Sequence, residues 1–210
     1  LLLATAFAAA GFVPSPGGVL SLPYVATLSL ADTALLIGLI VLFLVSRGER
    51  PRDVLFGQAP LGDEMRAGVP LLFAAFGLAM MVMLATRLLA PSLHTVPDNP
   101  LQDLVDSPLD TVVFAVVLIV AGGIREEVQR AFLLTRFEQR LGGQTVGLIV
   151  SSALFGAGHI IQGADAAVTT AMLGAFWGSV YLRRRSIGAT VVSHAGFNIV
   201  QVVQFLLLRR

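Results

Sequence analysis

Three short clusters carry the groups in this chain that could do chemistry. Arg125-Glu126-Glu127-Val128-Gln129-Arg130 sets two adjacent carboxylates among guanidinium groups, and Phe155-Gly156-Ala157-Gly158-His159 and His194-Ala195-Gly196-Phe197-Asn198 follow it. A carboxylate accepts a proton, an imidazole holds or passes one, and imidazole and amide N–H groups stabilise a developing oxyanion. The set therefore suits activation of a water molecule. Glutamate and histidine are also ordinary zinc ligands, so Glu126, His159 and His194 could instead hold a divalent metal. The residue types leave both alternatives open.

Spacing adds geometry. Glu126 and Arg130 lie one helical turn apart, which predicts an ion pair on one face, with Arg125 and Gln129 as a second pair. Glu127 then points about 100° away. His194 and Asn198, at i and i+4, share a face, and Gly156 and Gly158 allow close helix approach. Each cluster also has a plainer reading. The helix could end early and leave the charges in a loop; His159 could be a hydrogen-bonded packing residue; Ser193, His194 and Asn198 could be polar glue between helices. What weighs against the plainer readings is the setting. All three clusters lie in or beside apolar spans, where an ionisable group costs several kcal/mol unless it is paired or hydrated.

That setting follows from composition. The 210 residues are 56% hydrophobic and 13% charged, with a mean hydropathy of +0.84. A soluble domain carries about 25% charged residues, so this chain could not cover a water-facing surface. Disorder is excluded by the same apolar content. A net charge of +1 argues against a nucleic-acid partner, which needs a concentrated basic surface. With no cysteine, disulfides, thiolate metal sites and cysteine nucleophiles are ruled out. The expected fold class is all-α, a polytopic transmembrane helical bundle with the lipid bilayer as its first partner.

A hydrocarbon core of about 30 Å needs roughly 20 apolar residues in a helix. Uncharged stretches of about that length predict spans at 24–46, 67–89, 109–137, 145–161, 165–182 and 187–208, with 1–13 the remnant of an earlier one. That makes about six to seven spans in a single membrane domain, 1–210. Pro14, Pro16, Gly17, Gly18 and Pro23 are expected to break the chain before the first full span. The chain opens on Leu1 and is expected to continue upstream; residues 1–10 carry no charged n-region and are not read as a secretory signal.

All basic residues are arginines. Arg47, Arg50, Arg52 and Arg66 fall in one loop, Arg136 and Arg140 at another, and Arg183-Arg184-Arg185 in a third. If every span crosses once, these loops share a side, and the positive-inside rule makes it cytoplasmic. The alternate loops hold Asp98, Asp103, Asp106, Asp110 and Asp165; Arg209 and Arg210 fall on that side too. The expected location is a bacterial cytoplasmic membrane.

The three clusters resemble the motifs of the CPBP family, the CAAX-protease and bacteriocin-processing membrane endopeptidases, which include CAAX prenyl protease 2, lysostaphin-resistance-A-like and abortive-infection proteins. That family carries Glu-Glu-x-x-x-Arg, then Phe-x-x-x-His, then His-x-x-x-Asn. Phe155…His159 and His194…Asn198 match, as do Gly174-x-x-x-Gly178, Tyr181 and the basic turn before Ser186-Ile187. The likeness covers 109–203, the expected catalytic core. It implies an intramembrane endopeptidase that hydrolyses a peptide bond in a membrane-associated or prenyl-like tail. The implied site residues are Glu126, Glu127, Arg130, His159, His194 and Asn198. Members are described as metalloproteases; a glutamate-activated water is the alternative, and without His-Glu-x-x-His no tightly bound metal is expected here, zinc or another divalent ion being the other option.

The first motif departs from the family. Only Val128 and Gln129 separate Glu127 from Arg130, one residue fewer than expected. Anchoring on Arg130 places Arg125 and Glu126 at the two Glu positions; anchoring on the glutamates keeps Glu126 first. In the family the first Glu is taken as the base and the second pairs with the Arg. The predicted Glu126–Arg130 pair favours the Arg-anchored register, which moves the base to Glu127 or leaves an altered member acting as an immunity or scaffold protein. A proton-coupled transporter is a further alternative; it would call for internal repeats and a second Asp- or Glu-bearing span, and neither is read here. Trp177 and Tyr181 read as packing or interfacial aromatics, Met80, Met81 and Met83 as lipid-facing or filler, Phe155 as pocket wall or packing, and His94 has no assigned role.

Overall fold

The computed structural model describes residues 2–11, 21–97, 99, 101 and 104–208. Asp98, Asp103, Arg209, Arg210 and the breakers Pro14, Pro16, Gly17 and Gly18 lie outside them. Among the described residues the chain is helical, without strands. In order come α1 (Leu2–Ala9), α2 (Leu22–Ser46), α3 (Pro51–Leu55), α4 (Leu61–Leu89), α5 (Pro108–Val117), a π-helical segment (Leu118–Arg125), α6 (Glu126–Arg140), α7 (Gly143–Ala157), α8 (Ala164–Arg184) and α9 (Gly188–Leu208).

Local chemistry sets the boundaries. Ser21 caps α2 by accepting from the Tyr24 N–H, and Pro23 sits in the first turn, where its missing N–H is harmless. Pro23 therefore starts the helix that it was expected to precede as a breaker. Ser107 and Asp110 form a reciprocal capping box at the start of α5, satisfying two amides that would otherwise be orphaned. Among the described residues four stretches are long and apolar enough to cross a membrane: Leu22–Ser46, Leu61–Leu89, Pro108–Arg140 and Gly188–Leu208. Helix α7 is shorter. Helix α8 has the length, but its polar and small residues face protein: Asp165, Thr169, Gly174 and Gly178 are buried in it. An interior helix needs no lipid-compatible surface, which is why hydropathy alone weakens there. Lipid would meet Leu39, Leu42, Phe73, Met80 and Met81, all strongly exposed, while Met83 is half-buried.

The three arginine-bearing loops do converge on one end of the bundle. Arg136 at the end of α6 pairs with Glu49 after α2, Arg184 holds Glu64 of α4 with two hydrogen bonds of 2.8 and 2.9 Å, and Arg185 holds Glu138. The Ile187 N–H donates to the Leu55 carbonyl. Tyr181, buried as expected of a packing residue, donates to the Val54 carbonyl at 2.8 Å and lies 3.0 Å from Thr135 Oγ1. Beneath these pairs Leu44, Leu55, Ala131, Leu134 and Ile187 form an apolar core. At the opposite end His94 meets buried Asp165 at 2.8 Å, and the Ala164 N–H donates to Thr95.

Arg136 holds the Glu49 carboxyl below its ordinary value of 4.5. A depressed carboxylate stabilises the fold above its unfolded pKa, and that contribution is lost as pH falls through the folded value. Melting in detergent from pH 7 to pH 3 should therefore drop less steeply for Glu49→Gln than for the parent chain. Parallel pH profiles would remove the pair from the stability account.

Candidate active site

α5, the π-helical segment and α6 form one stretch of 33 residues. The π-helical turns end at Arg125, immediately before the two glutamates. A π-helix bonds i to i+5 and winds extra residues into each turn, so it resets the direction in which following side chains point; such segments are frequent at functional sites. Helix α9 lies against it closely. A Cβ added at Gly123 would fall 2.8 Å from Ala195 Cβ, and one at Gly122 would fall 2.8 Å from Asn198 Nδ2. A larger side chain at Gly123 would push α9 away from the glutamates, and one at Gly122 would displace the Asn198 amide.

Glu127 is 1% exposed. Its Oε1 accepts from Arg130, three residues on, and from His194 Nδ1 at 2.8 Å. The predicted pair of Glu126 with Arg130 does not form. Arg130 takes Glu127 because residues three apart also meet on a helix surface. Glu126 Oε1 accepts instead from Arg125 at 3.1 Å, and its Oε2 lies 3.7 Å from His194 Nε2. One imidazole thus faces both carboxylates. The ion pair that favoured the Arg-anchored register is therefore absent: Arg130 holds Glu127, and Glu126, ahead of it, is held by Arg125.

The expected Arg125–Gln129 pair is also absent. Arg125 donates to the Ala121 carbonyl and to Asp32 of α2. Asp32 lies within the span taken as uncharged and was missed, although a single acid among the apolar residues of α2 is a signal in its own right. The argument that no second acidic span exists fails with it.

Around this centre aromatic rings fill the space. Trp177, 1% exposed, stacks on His194 with centroids 3.9 Å apart and planes 19° apart, and its Nε1–H donates to Ser193 Oγ at 3.0 Å. Trp177 is a packing aromatic, as its position suggests, and what it packs is the imidazole. The Arg130 guanidinium lies 4.7 Å from the Phe155 centroid and 5.7 Å from that of Trp177. Gly174 and Gly178 leave room on α8 for Phe155 and Leu148, with Arg130 alongside Gly178.

Helix α7 ends at Ala157, so His159 sits in the turn just beyond. Its Nδ1 is 2.8 Å from the Phe155 carbonyl, so Nδ1–H is the donor and Nε2 is left as acceptor. Phe155 stands edge-on to both imidazoles, at 4.9 Å from His159 and 5.8 Å from His194. Levels agree because α7 begins at Gly143, hard by the end of α6. At about 1.5 Å per residue, Glu126 and His159 are each roughly 20–25 Å from that α6–α7 turn. His194 is only about 9 Å into α9, so α6 and α7 overhang α9 at the basic end.

Two donors face one another, Glu126 Oε2 and His194 Nε2, at a separation near that of neighbouring metal ligands. A structural or catalytic zinc site draws on at least three protein ligands, and among the described residues no three His, Asp or Glu side chains are grouped to hold a metal ion. Two buried oxygens, Glu127 Oε2 and Ser152 Oγ, have no hydrogen-bond partner among the described residues.

An all-helical bundle with four apolar spans and ionisable side chains gathered in its interior defines an integral membrane protein. Residues 108–200, a little under half of the chain, match the family described as type II CAAX prenyl endopeptidase Rce1-like, a likeness that supports a CAAX-type intramembrane protease. The match runs from the start of α5 into α9 and takes in all three clusters. No curated protein and no solved structure matches the chain.

Trp177→Ala would open a cavity under the imidazole and leave Ser193 without its donor. It should lower the unfolding free energy in detergent by about 3–5 kcal/mol, the usual scale for removing a large buried aromatic. Trp177→Phe, which keeps the stacked face, should lose less than half of that in the same denaturation series.

Proposed function

We propose that the chain cleaves a peptide bond near the end of a membrane-associated or prenylated tail, with Glu126 as the base for an attacking water and no metal required. The observation that carries this reading is the placement of His194 between two carboxylates: 2.8 Å from Glu127 on one ring nitrogen and 3.7 Å from Glu126 on the other. With Nδ1–H donating to Glu127, Nε2 is an acceptor. A water at hydrogen-bonding distance, about 2.8 Å from both Nε2 and Glu126 Oε2, fits over that gap and can donate one proton to each.

Glu127 is unsuited to the base role, because its Oε1 is taken by Arg130 and by His194 and its Oε2 is buried away from any attacking water. It orients the imidazole, as the buried acid of a catalytic triad does. Glu126 removes the water proton as oxygen bonds to the scissile carbonyl carbon. The oxyanion so formed is stabilised by the N–H of the Asn198 amide. Collapse of that intermediate breaks the C–N bond, and Glu126 returns the proton to the leaving amine. The three arginine loops, joined at one end, are assigned to the cytoplasmic side by the positive-inside rule, in a bacterial cytoplasmic membrane.

Cleavage of a prenylated tail peptide by the protein in lipid vesicles tests the assignment. Glu126→Gln should lower kcat about 10²- to 10⁴-fold, the usual contribution of a general base, and Asn198→Ala about 10²-fold or more as an oxyanion donor is lost. Full activity of Glu126→Gln would end this reading. Exhaustive treatment with a chelator should leave the rate unchanged; loss of activity that added zinc restores would replace the metal-free water with a metal-bound one.

A further inference from the structure

Asp32 and Arg125 belong to no motif of the site, yet they form a chain of contacts that ends on Glu126. Arg125 uses all three nitrogens: Nε donates to the Ala121 carbonyl at 3.3 Å, Nη1 to Asp32 of α2, and Nη2 to Glu126 Oε1 at 3.1 Å. The side chains are ordered by depth. Asp32 is 43% exposed, Arg125 24%, Glu126 17% and Glu127 1%. The chain therefore runs inward from the flank of α2 to the buried centre.

A guanidinium beside a single carboxylate would take it bidentate, fork to fork. That arrangement would draw both Glu126 oxygens away from His194. Asp32 occupies one arm of the fork, and the Ala121 carbonyl another. Arg125 then reaches Glu126 through Nη2 alone, which holds Oε1 and leaves Oε2 toward His194 Nε2. We infer that Asp32, acting through Arg125, is a positioning residue for Glu126: it divides the guanidinium so that one Glu126 oxygen stays free to face His194. The inference rests on the reading of Glu126 as the base.

Asp32→Asn, Arg125→Gln, the double variant, Asp32→Glu and Glu126→Gln, assayed by the same vesicle cleavage with parallel melting curves, test it. Asp32→Asn and Arg125→Gln should each lower kcat about 10-fold or more, the scale on which misplacing a reacting group acts, with KM unchanged. The double variant should be no slower than the slower single one, because both remove one device, and Asp32→Glu should recover most of kcat. A raised KM with normal kcat in Arg125→Gln would make Arg125 a substrate contact and overturn the inference. Lowered melting with normal kcat would reduce the chain to a structural ion pair and overturn it equally. An inactive Glu126→Gln beside fully active Asp32→Asn would sink the inference alone; an active Glu126→Gln would sink the base assignment beneath it.

Discussion

A carboxylate inside a membrane protein survives only if opposite charge and hydrogen bonds are at hand, and Glu127 is the most enclosed acid of this site. Arg130 and His194 converge on one of its oxygens. Because leaving either partner out would strand a buried charge, α6 and α9 must approach to within the reach of one imidazole. That requirement explains the surrounding composition. Gly123 removes the side chain that would hold α9 off, Gly122 leaves space for the Asn198 amide, and Gly174 and Gly178 make room on α8 for Phe155 and Leu148. Trp177 fills the remaining volume and presses on the imidazole face.

The arrangement separates the two adjacent glutamates by environment. Neighbours on a helix diverge by about 100°, so the pair faces different arginines, Arg125 and Arg130, although one imidazole lies against both. Glu127 turns inward to the arginine; Glu126 turns to the partly exposed side, where Arg125 and Asp32 meet it. Two carboxylates in one dipeptide thereby acquire different neighbours, which is the usual route to different chemical roles. The one-residue contraction of the first motif is absorbed here. Arg130 reaches Glu127 across three residues instead of four, and both spacings lie on one helix face.

Away from the centre the bundle is fastened at its two ends by different means. The arginine-rich end is closed by Arg136–Glu49, Arg184–Glu64 and Arg185–Glu138, which tie α2, α4, α6 and α8. At the other end His94, from a loop with no assigned role in the sequence, reaches Asp165 at the head of α8. These part-buried pairs set which loops lie side by side. The site lies between these ends, on helices that the pairs hold in register.

Much of this was legible in the residues themselves. Apolar length and the scarcity of charge determined a helical membrane bundle, because an unbroken apolar run of that length has few other homes. Motif order pointed to Glu126, Glu127, Arg130, His159, His194 and Asn198, of which Glu127, Arg130 and His194 meet directly with Glu126 beside them, and loop charge identified the end at which the arginines meet. Pairing was another matter. Sequence spacing gave Glu126–Arg130 and Arg125–Gln129, since i and i+4 is the simplest contact rule on an isolated helix. Only tertiary structure decided otherwise: the π-helical segment turns the following side chains, α9 brings His194 to Glu127, and α2 brings Asp32 to Arg125. Local spacing says which side chains can meet along one helix; burial and the approach of other helices select which of them do, because in a low-dielectric interior every charged group must end beside a partner.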